Sequence, residues 1–163
     1  MTATALPPIY WKTYIAAPCE RVFDTLTTAA GWDGWFTRGS TMNDRELVMR
    51  WVDVARAQHR ASLWSGHDGE LRCPIVASEA PTRFAFRWTS GDHPTLVDFR
   101  LAPRGPGTVV EVTESGHTHD DLAAVGGVTA AARYALNAAG WGSALELLKV
   151  YVERGVAYGP VPP

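Results

Sequence analysis

The sequence predicts an α+β fold in which a C-terminal helix covers one antiparallel sheet. Turn signals recur at strand-like spacing from about residue 45 to 115, and apolar and polar residues alternate between them. The last apolar pattern, at 140–155, repeats instead at helical spacing. A run of strands followed by a helix is typical of α+β proteins, whereas strands that alternate with helices are typical of parallel sheets.

The first predicted elements are a strand and two short helical pieces. The segment IYWKTYIAA, at 9–17, combines aromatic and β-branched residues and is typical of a strand. Pro18 suits the first helical position, where its missing N–H is not needed, and the segment ERVFDTLTTA places its apolar residues on one helical face. The segment AGWDGWFTRGS, at 30–40, is punctuated by glycine and indicates a short helix or a structured loop.

The alternating runs predict a meander of about six strands with one apolar face. Turn signals bound these strands at 66–69, 80–82, 90–94 and 103–107. Because successive side chains of a strand point to opposite faces, period-two positions share a face. The residues predicted to share the apolar face are Leu71, Cys73, Ile75, Phe84, Phe86, Trp88, Val97, Phe99 and Leu101.

A long helix near the C-terminus is expected to cover that apolar face. Its apolar stripe consists of Trp141, Ala144, Leu145, Leu148, Tyr151 and Val152. Gly155 provides a plausible C-terminal stop. Trp141 stands between two glycines, and we expect it at the start of the helix. There it either anchors the helix to the core or lines a ligand cavity, and the two roles are compatible.

Bulk properties favour a single cytoplasmic domain, which we expect to span 1–163 with its core at about 9–155. A net charge of -2 gives no general attraction to nucleic acid or anionic membranes, and no run reaches the roughly 18 apolar residues that a membrane helix needs. The N-terminus has no signal-peptide pattern, and Cys19 and Cys73 lack metal or redox spacing, so reduced thiols are expected. We expect a monomer or a weak homodimer.

Four segments, in this order, resemble the START-like (SRPBCC) superfamily of helix-grip proteins: YIAAPCERVFDTLTT, RFAFRW, LAPRGPGTVVEVTESGH and GWGSALELLKVYVERG. They look most similar to the branch named for the activator of a heat-shock-protein ATPase. The resemblance covers about 9–155. It fits only approximately at 51–65, and it departs from the family pattern between His117 and Gly140, where extra Ala/Gly-rich sequence is either a helical insertion or an N-terminal extension of the last helix.

The resemblance implies a seven-stranded sheet curled around the C-terminal helix, with a cavity between them for an apolar small molecule. Members of this superfamily bind lipids, steroids and polyketides, and a minority are enzymes. The residues expected to line the cavity are Trp35, Phe36, Trp51, His59, Phe84, Phe86, Trp88, Phe99, Glu114, Trp141, Leu145 and Leu148. Aromatic residues of this kind are typical of a binding pocket, but a solid core would show the same pattern.

Three groups of residues raise the question of catalysis or metal binding. His59, Glu114 and Asp53 could act as acid or base if they face the cavity, although each is more simply a rim residue. Cys19 lies in the first turn of a helix, where its thiol pKa can fall, but the resemblance places it at a variable, exposed position. The residues of the metal candidate are His117, His119, Asp120 and Asp121, which lack identified further ligands. No catalytic residue, metal or cofactor is therefore predicted.

The leading hypothesis is a non-catalytic protein that binds a hydrophobic, aromatic or polyketide small molecule between sheet and helix. Abundant Ala and Arg suggest a bacterium of high GC content, where related proteins accompany antibiotic and polyketide pathways, so self-resistance or metabolite delivery is the expected context. The alternatives are a polyketide cyclase or hydrolase of the same fold and a co-chaperone-like interaction module.

Overall fold

The structure, a computed structural model, describes residues 4–51, 70–89, 94–118 and 130–157. In the last of these ranges the side chains are described from residue 134 onwards. The elements, in chain order, are β1 (Ile9–Ile15), α1 (Cys19–Leu26), α2 (Ala29–Trp35), β2 (Thr41–Met42), β3 (Glu46–Arg50), β4 (Glu70–Glu79), β5 (Arg83–Trp88), β6 (Thr95–Arg104), β7 (Gly107–Ser115) and α3 (Ala130–Arg154). This arrangement confirms the predicted α+β, helix-grip fold.

The strands form one seven-stranded antiparallel sheet in the order β1-β7-β6-β5-β4-β3-β2. Neighbours in the sheet are neighbours in the chain, except that β1 joins β7, so the first strand lies beside the last. A register shift between Ile75 and Ala77 interrupts the β4–β5 pairing, and irregularities of this kind bend a sheet. Among the described strands, β1 and β2 therefore lie at the edges of the sheet.

The helical pieces after β1 form where they were predicted, with one local correction. Pro18 does not occupy the first helical position; it is the N-cap residue of α1, with an extended backbone at ψ 155°. The glycine-punctuated segment forms the helix α2, whose N-cap Thr28 accepts a hydrogen bond from the N–H of Gly31 through its hydroxyl. This contact satisfies one of the N–H groups that a helix start leaves open.

Helix α3 begins at Ala130, so the prediction that Trp141 stands at the start of the helix is wrong. Of the two alternatives for the Ala/Gly-rich segment, an N-terminal extension of the last helix is correct for residues 130–140. The helix stops as predicted: Gly155 has a φ of 68° and its N–H donates to the Tyr151 carbonyl at 2.8 Å. None of the helices among the described residues is long and apolar enough to cross a membrane.

The core lies between the concave face of the sheet and α3. The inward-facing residues predicted from strand and helix periodicity are buried, namely Leu71, Cys73, Phe84, Phe86, Trp88, Val97, Phe99, Leu101, Trp141, Ala144, Leu145, Leu148 and Val152. Ile75 and Tyr151 are partly buried and pack against this core. Helix α3 thus covers the apolar face of the sheet with the stripe that the sequence indicates.

Candidate functional site

Aromatic side chains from α2, the sheet and α3 meet between the sheet and α3. We call this group the aromatic cluster; its members are Trp32, Trp35, Phe36, Trp51, Phe84, Phe86, Trp88, Phe99 and Trp141. Neighbouring ring centroids lie between 4.8 and 6.4 Å apart, mostly in tilted or edge-on geometry. These are the distances and orientations at which aromatic pairs attract one another.

Trp32 belongs to the aromatic cluster although it is not among the lining residues predicted from the sequence. Its ring lies 4.8 Å from Trp35, 5.7 Å from Phe86 and 6.3 Å from Phe99, so it bridges α2 and the sheet. Its indole N–H donates to the Leu26 carbonyl at 2.7 Å. The signal for Trp32 was present, because 32, 35 and 36 have the i, i+3, i+4 spacing of one helical face.

Trp141 points into the aromatic cluster from the middle of α3. Its ring is edge-on to Trp88 at 5.9 Å and to Phe99 at 5.7 Å, and the side chain is 1% exposed. The next residue, Gly142, is small for a different reason: a Cβ there would come within 3.1 Å of the Trp11 ring. The helix therefore has a tryptophan on each side: Trp141 points into the aromatic cluster, and Trp11 packs against Gly142.

Glu114 lies at the border of the aromatic cluster, where its carboxylate is 1% exposed. The Thr95 hydroxyl donates to Oε1 at 2.7 Å, and the Asn137 amide donates to the same oxygen at 3.3 Å. Trp141 Nε1 donates to Oε2 at 2.6 Å. His117 Nε2 lies 3.1 Å from Oε1, but at an angle that does not form a hydrogen bond. We call these five residues the carboxylate cluster.

The carboxylate cluster holds Glu114 in its charged form. Burial, the largest influence, raises the pKa of Glu114, but the groups that face it reverse the direction, so that the pKa lies below its ordinary value. These groups are His117, Thr95 and Trp141. His117 lowers the pKa of Glu114 through electrostatic attraction and not through a hydrogen bond, since its N–H is poorly directed at the carboxylate oxygen. A carboxylate with both oxygens engaged and a lowered pKa does not suit a general acid at neutral pH.

Trp35 differs from three other indoles of the aromatic cluster, those of Trp32, Trp51 and Trp141. Trp32, Trp51 and Trp141 each donate their N–H to a protein oxygen. Trp35 is 0% exposed, and within the described part of the chain its Nε1 meets no acceptor. A buried donor without a partner costs about 1–3 kcal/mol, and such a group calls for an explanation.

The structure brings most of the predicted lining residues together. Trp35, Phe36, Trp51, Phe84, Phe86, Trp88, Phe99 and Trp141 are in the aromatic cluster, and Glu114 adjoins it. Leu145 and Leu148 are buried on α3 beside the same face of the sheet. His59 and the alternative Asp53 lie outside the described residues. That these residues line a ligand site stays a prediction.

The remaining residues to place are two buried cysteines and a metal candidate that is described only in part. Cys19 was expected to be exposed, which is wrong: it is 7% exposed, and the Thr108 hydroxyl donates to its Sγ at 3.4 Å. Burial raises the pKa of the Cys73 thiol to about 12, which keeps it protonated. Of the metal candidate, His117 belongs to the carboxylate cluster, whereas His119, Asp120 and Asp121 lie outside the described residues. No group of three potential metal ligands occurs among the residues that the structure describes.

Comparisons with known proteins agree with this fold. The family model for "Activator of Hsp90 ATPase homolog 1-like protein" matches residues 16–153. A comparison with curated proteins found no match. Among solved structures, protein BH1534 from Bacillus halodurans is 23% identical with a TM-score of 0.69, over 92% of this chain and 99% of that one.

Two further solved structures are similar to this chain. The Aha1 dimer from Colwellia psychrerythraea is 19% identical with a TM-score of 0.65, over 92% of this chain and 98% of that one. DynU16, a protein of the dynemicin biosynthetic locus, is 18% identical with a TM-score of 0.65; the match covers 93% of this chain but 49% of DynU16. At these identities the similarity establishes the fold alone.

Proposed function

Because the chain belongs to the family of proteins similar to activator of Hsp90 ATPase homolog 1, a branch of the START-like superfamily, we propose that it binds a hydrophobic aromatic small molecule between the sheet and α3. The observation that carries this proposal is Trp35 Nε1, a buried donor among aromatic rings with no acceptor in the described residues. An aromatic ligand with a carbonyl or phenolic oxygen would stack on the rings and accept this hydrogen bond.

Apolar walls with few, well-placed polar groups are characteristic of small-molecule sites. Oxygenated aromatic polyketides have both required features, a planar apolar body and peripheral oxygens. The location of DynU16 in the dynemicin biosynthetic locus supports a ligand of this class and a role in metabolite handling or antibiotic self-resistance. We place this role in the cytoplasm of a bacterium, with the protein as a monomer or a weak homodimer, the latter supported by the dimeric Colwellia relative.

The state of Glu114 favours binding over catalysis. Its oxygens are engaged by Thr95, Asn137 and Trp141, so the carboxylate fixes α3 against the sheet and has little capacity to exchange a proton with a ligand. A cyclase or hydrolase of this fold would need another acid or base. Among the described residues, the aromatic cluster contains no such group.

The proposal is tested with a matched pair of probes, a hydroxylated anthraquinone and the hydrocarbon anthracene. Binding of the anthraquinone to the native protein should raise the melting temperature saturably and shift the indole N–H resonance of Trp35 in a ¹H–¹⁵N spectrum. Trp35→Phe keeps an aromatic ring and removes the donor. It should weaken anthraquinone binding about fivefold, as expected for one hydrogen bond of about 1 kcal/mol, without changing anthracene binding.

The matched control is Trp51→Phe, which removes an indole N–H that already has an acceptor, the Phe36 carbonyl at 3.0 Å. This variant should bind both probes in the wild-type ratio. Equal loss of both probes in Trp35→Phe would show that the ring, not its N–H, matters. A folded wild-type protein that responds to neither probe would overturn the proposed ligand class.

A further inference from the structure

The main-chain groups of Tyr10 and Lys12 face away from the sheet. In the described part of the chain, β1 has a strand neighbour on one side only, β7. The Tyr14 carbonyl accepts from Lys149 Nζ at 2.6 Å, and the Ala16 N–H donates to Glu153 Oε1 at 2.7 Å. Both residues thus direct their main-chain groups away from β7. Because this direction alternates along an antiparallel strand and the register is regular from Ile9 to Ile15, Tyr10 and Lys12 must do the same.

Side chains of α3 protect only one end of this edge. Lys149 and Glu153 occupy the main-chain groups at 14 and 16, whereas among the described residues no group occupies the outward ladder positions from Tyr10 to Lys12. Proteins commonly blunt such edges, because an open edge accepts a further strand. In this protein the protection covers only residues 14 and 16, so the short segment from Tyr10 to Lys12 is available for pairing with another strand.

The open stretch also presents apolar surface. Tyr10 is 53% exposed and Trp11 41% exposed. A groove of about 510 Å³ runs between β1 and α3 beside them; the residues that line it are Trp11, Lys12, Thr13, Ala139, Gly142, Ser143, Leu145 and Glu146. The Trp11 ring lies against Gly142 and its indole N–H donates to the Ala138 carbonyl at 2.6 Å. An apolar wall thus adjoins open main-chain donors and acceptors.

We propose that the β1 edge binds the β1 edge of a second copy of this chain, as an antiparallel strand pair centred on Trp11. Tyr10 of each copy then lies opposite Lys12 of the other, and the outward main-chain groups of both residues form ladder hydrogen bonds. A two-fold interface of this kind is self-complementary, as closed homodimers require. The indole of the second copy is placed beside Trp11, at the mouth of the groove.

The chemistry of the edge selects this register over its neighbours. Centring on Lys12 would set the two Lys12 side chains directly opposite each other, which is unfavourable, and would need the Tyr14 carbonyl that Lys149 occupies. Centring on Tyr10 would pair Lys12 with Pro8, which has no N–H to donate. Only the register centred on Trp11 uses open donors and acceptors in both copies.

Charge also favours a second copy as the occupant. Within one copy Lys12 Nζ lies 3.8 Å from Glu111, whose Oε1 also accepts from the Tyr10 hydroxyl at 2.8 Å. In the proposed pair, Lys12 of each copy lies opposite the uncharged Tyr10 of the other, and Glu111 balances the charge of Lys12 within each copy. No like charges therefore face each other across the two-fold axis. The ladder is short, so the dimer is weak and concentration-dependent.

Sedimentation equilibrium on the full chain tests the surface. We expect the apparent mass to rise with concentration from 17.7 kDa toward twice that value. Lys12→Pro removes the outward N–H, a change that an edge strand tolerates, and should keep the protein monomeric. The matched control Lys12→Ala removes the charge but keeps the N–H, so it should retain association in part. A wild type that stays monomeric, or a Lys12→Pro variant that associates like wild type, would overturn the proposal.

Cysteine cross-linking tests the register. In the proposed pair the two Trp11 residues form a non-hydrogen-bonded pair, whose Cα separation of about 4.5 Å suits a disulfide. Trp11→Cys should therefore give a covalent dimer under mild oxidation, whereas Tyr14→Cys should not. A preference for Tyr14→Cys would overturn this register. The paired strand lies outside the aromatic cluster, so the two proposals can fail separately. A monomeric Lys12→Pro variant should bind the anthraquinone as wild type does, and a wild type that dimerises without binding the anthraquinone would contradict only the ligand proposal.

Discussion

The indole N–H of Trp141 donates a 2.6 Å hydrogen bond to Glu114 Oε2, which joins the middle of α3 to β7 inside the core. Both side chains are about 1% exposed. A buried carboxylate is costly unless it is fully hydrogen-bonded, so this contact and those of Thr95 and Asn137 fix the position of α3 on the sheet. The aromatic cluster is shaped by the same contact, because the Trp141 ring belongs to it.

Replacing Glu114 with Gln should lower the free energy of unfolding by about 1.5–3 kcal/mol, as expected for hydrogen bonds to a charged group. The amide keeps the size of the side chain but turns one acceptor oxygen into a donor that faces other donors. Urea denaturation measures the change. Glu111→Gln on the same strand is the control: Glu111 is half-exposed, so its change should stay within about 0.5 kcal/mol. Equal effects at the two positions would contradict a role for burial.

Stability should fall in acid through Glu114. Its folded pKa lies below the ordinary value of 4.5, so the unfolded state binds the proton more readily. The stabilisation from the charge is therefore fully present above about pH 4.5 and is lost as the pH falls through the folded pKa. The difference in unfolding free energy between wild type and Glu114→Gln, measured from neutral pH to pH 3, should be constant above about pH 5 and shrink below pH 4.5. A difference that grows in acid would show that the pKa is raised instead.

Trp141→Phe should destabilise the protein by about 1–3 kcal/mol, because it leaves the buried carboxylate without one donor. The comparison is Trp11→Phe, which removes an indole N–H that donates to a carbonyl at a more exposed site and should cost less. Combining Trp141→Phe with Glu114→Gln in a double-mutant cycle should give an interaction energy of about 0.5–3 kcal/mol. Additive effects would mean that the two residues act independently.

Gly31→Ala should destabilise the protein, although alanine normally favours a helix over glycine by up to about 1 kcal/mol. A Cβ at this position would overlap the Thr25 main-chain carbonyl, and main-chain atoms cannot move aside without shifting α1 or α2. Thermal unfolding gives the sign of the change. The opposite exchange in the same helix, Ala30→Gly at an exposed position, should cost only the propensity term. A more stable Gly31→Ala would show that α1 and α2 are not packed this closely.

The sequence by itself determined which residues face inward. The alternation in RFAFRW and the helical spacing from Trp141 to Val152 are local patterns, and a buried face needs no knowledge of its partner to be identified. Family resemblance added the strand count and the helix-grip arrangement. The spacing of Trp32, Trp35 and Phe36 also indicates the inner face of α2, although the predicted lining residues include only Trp35 and Phe36.

Tertiary structure alone decided which groups surround Glu114, Trp35 and the β1 edge. The donors to Glu114 come from Thr95 on β6 and from Asn137 and Trp141 on α3, which are distant in sequence, and no local pattern encodes their convergence. Whether a buried indole N–H has an acceptor depends equally on its neighbours in space. The direction of the main-chain groups at Tyr10 and Lys12 follows from the side on which β7 pairs, a choice that side-chain periodicity does not record.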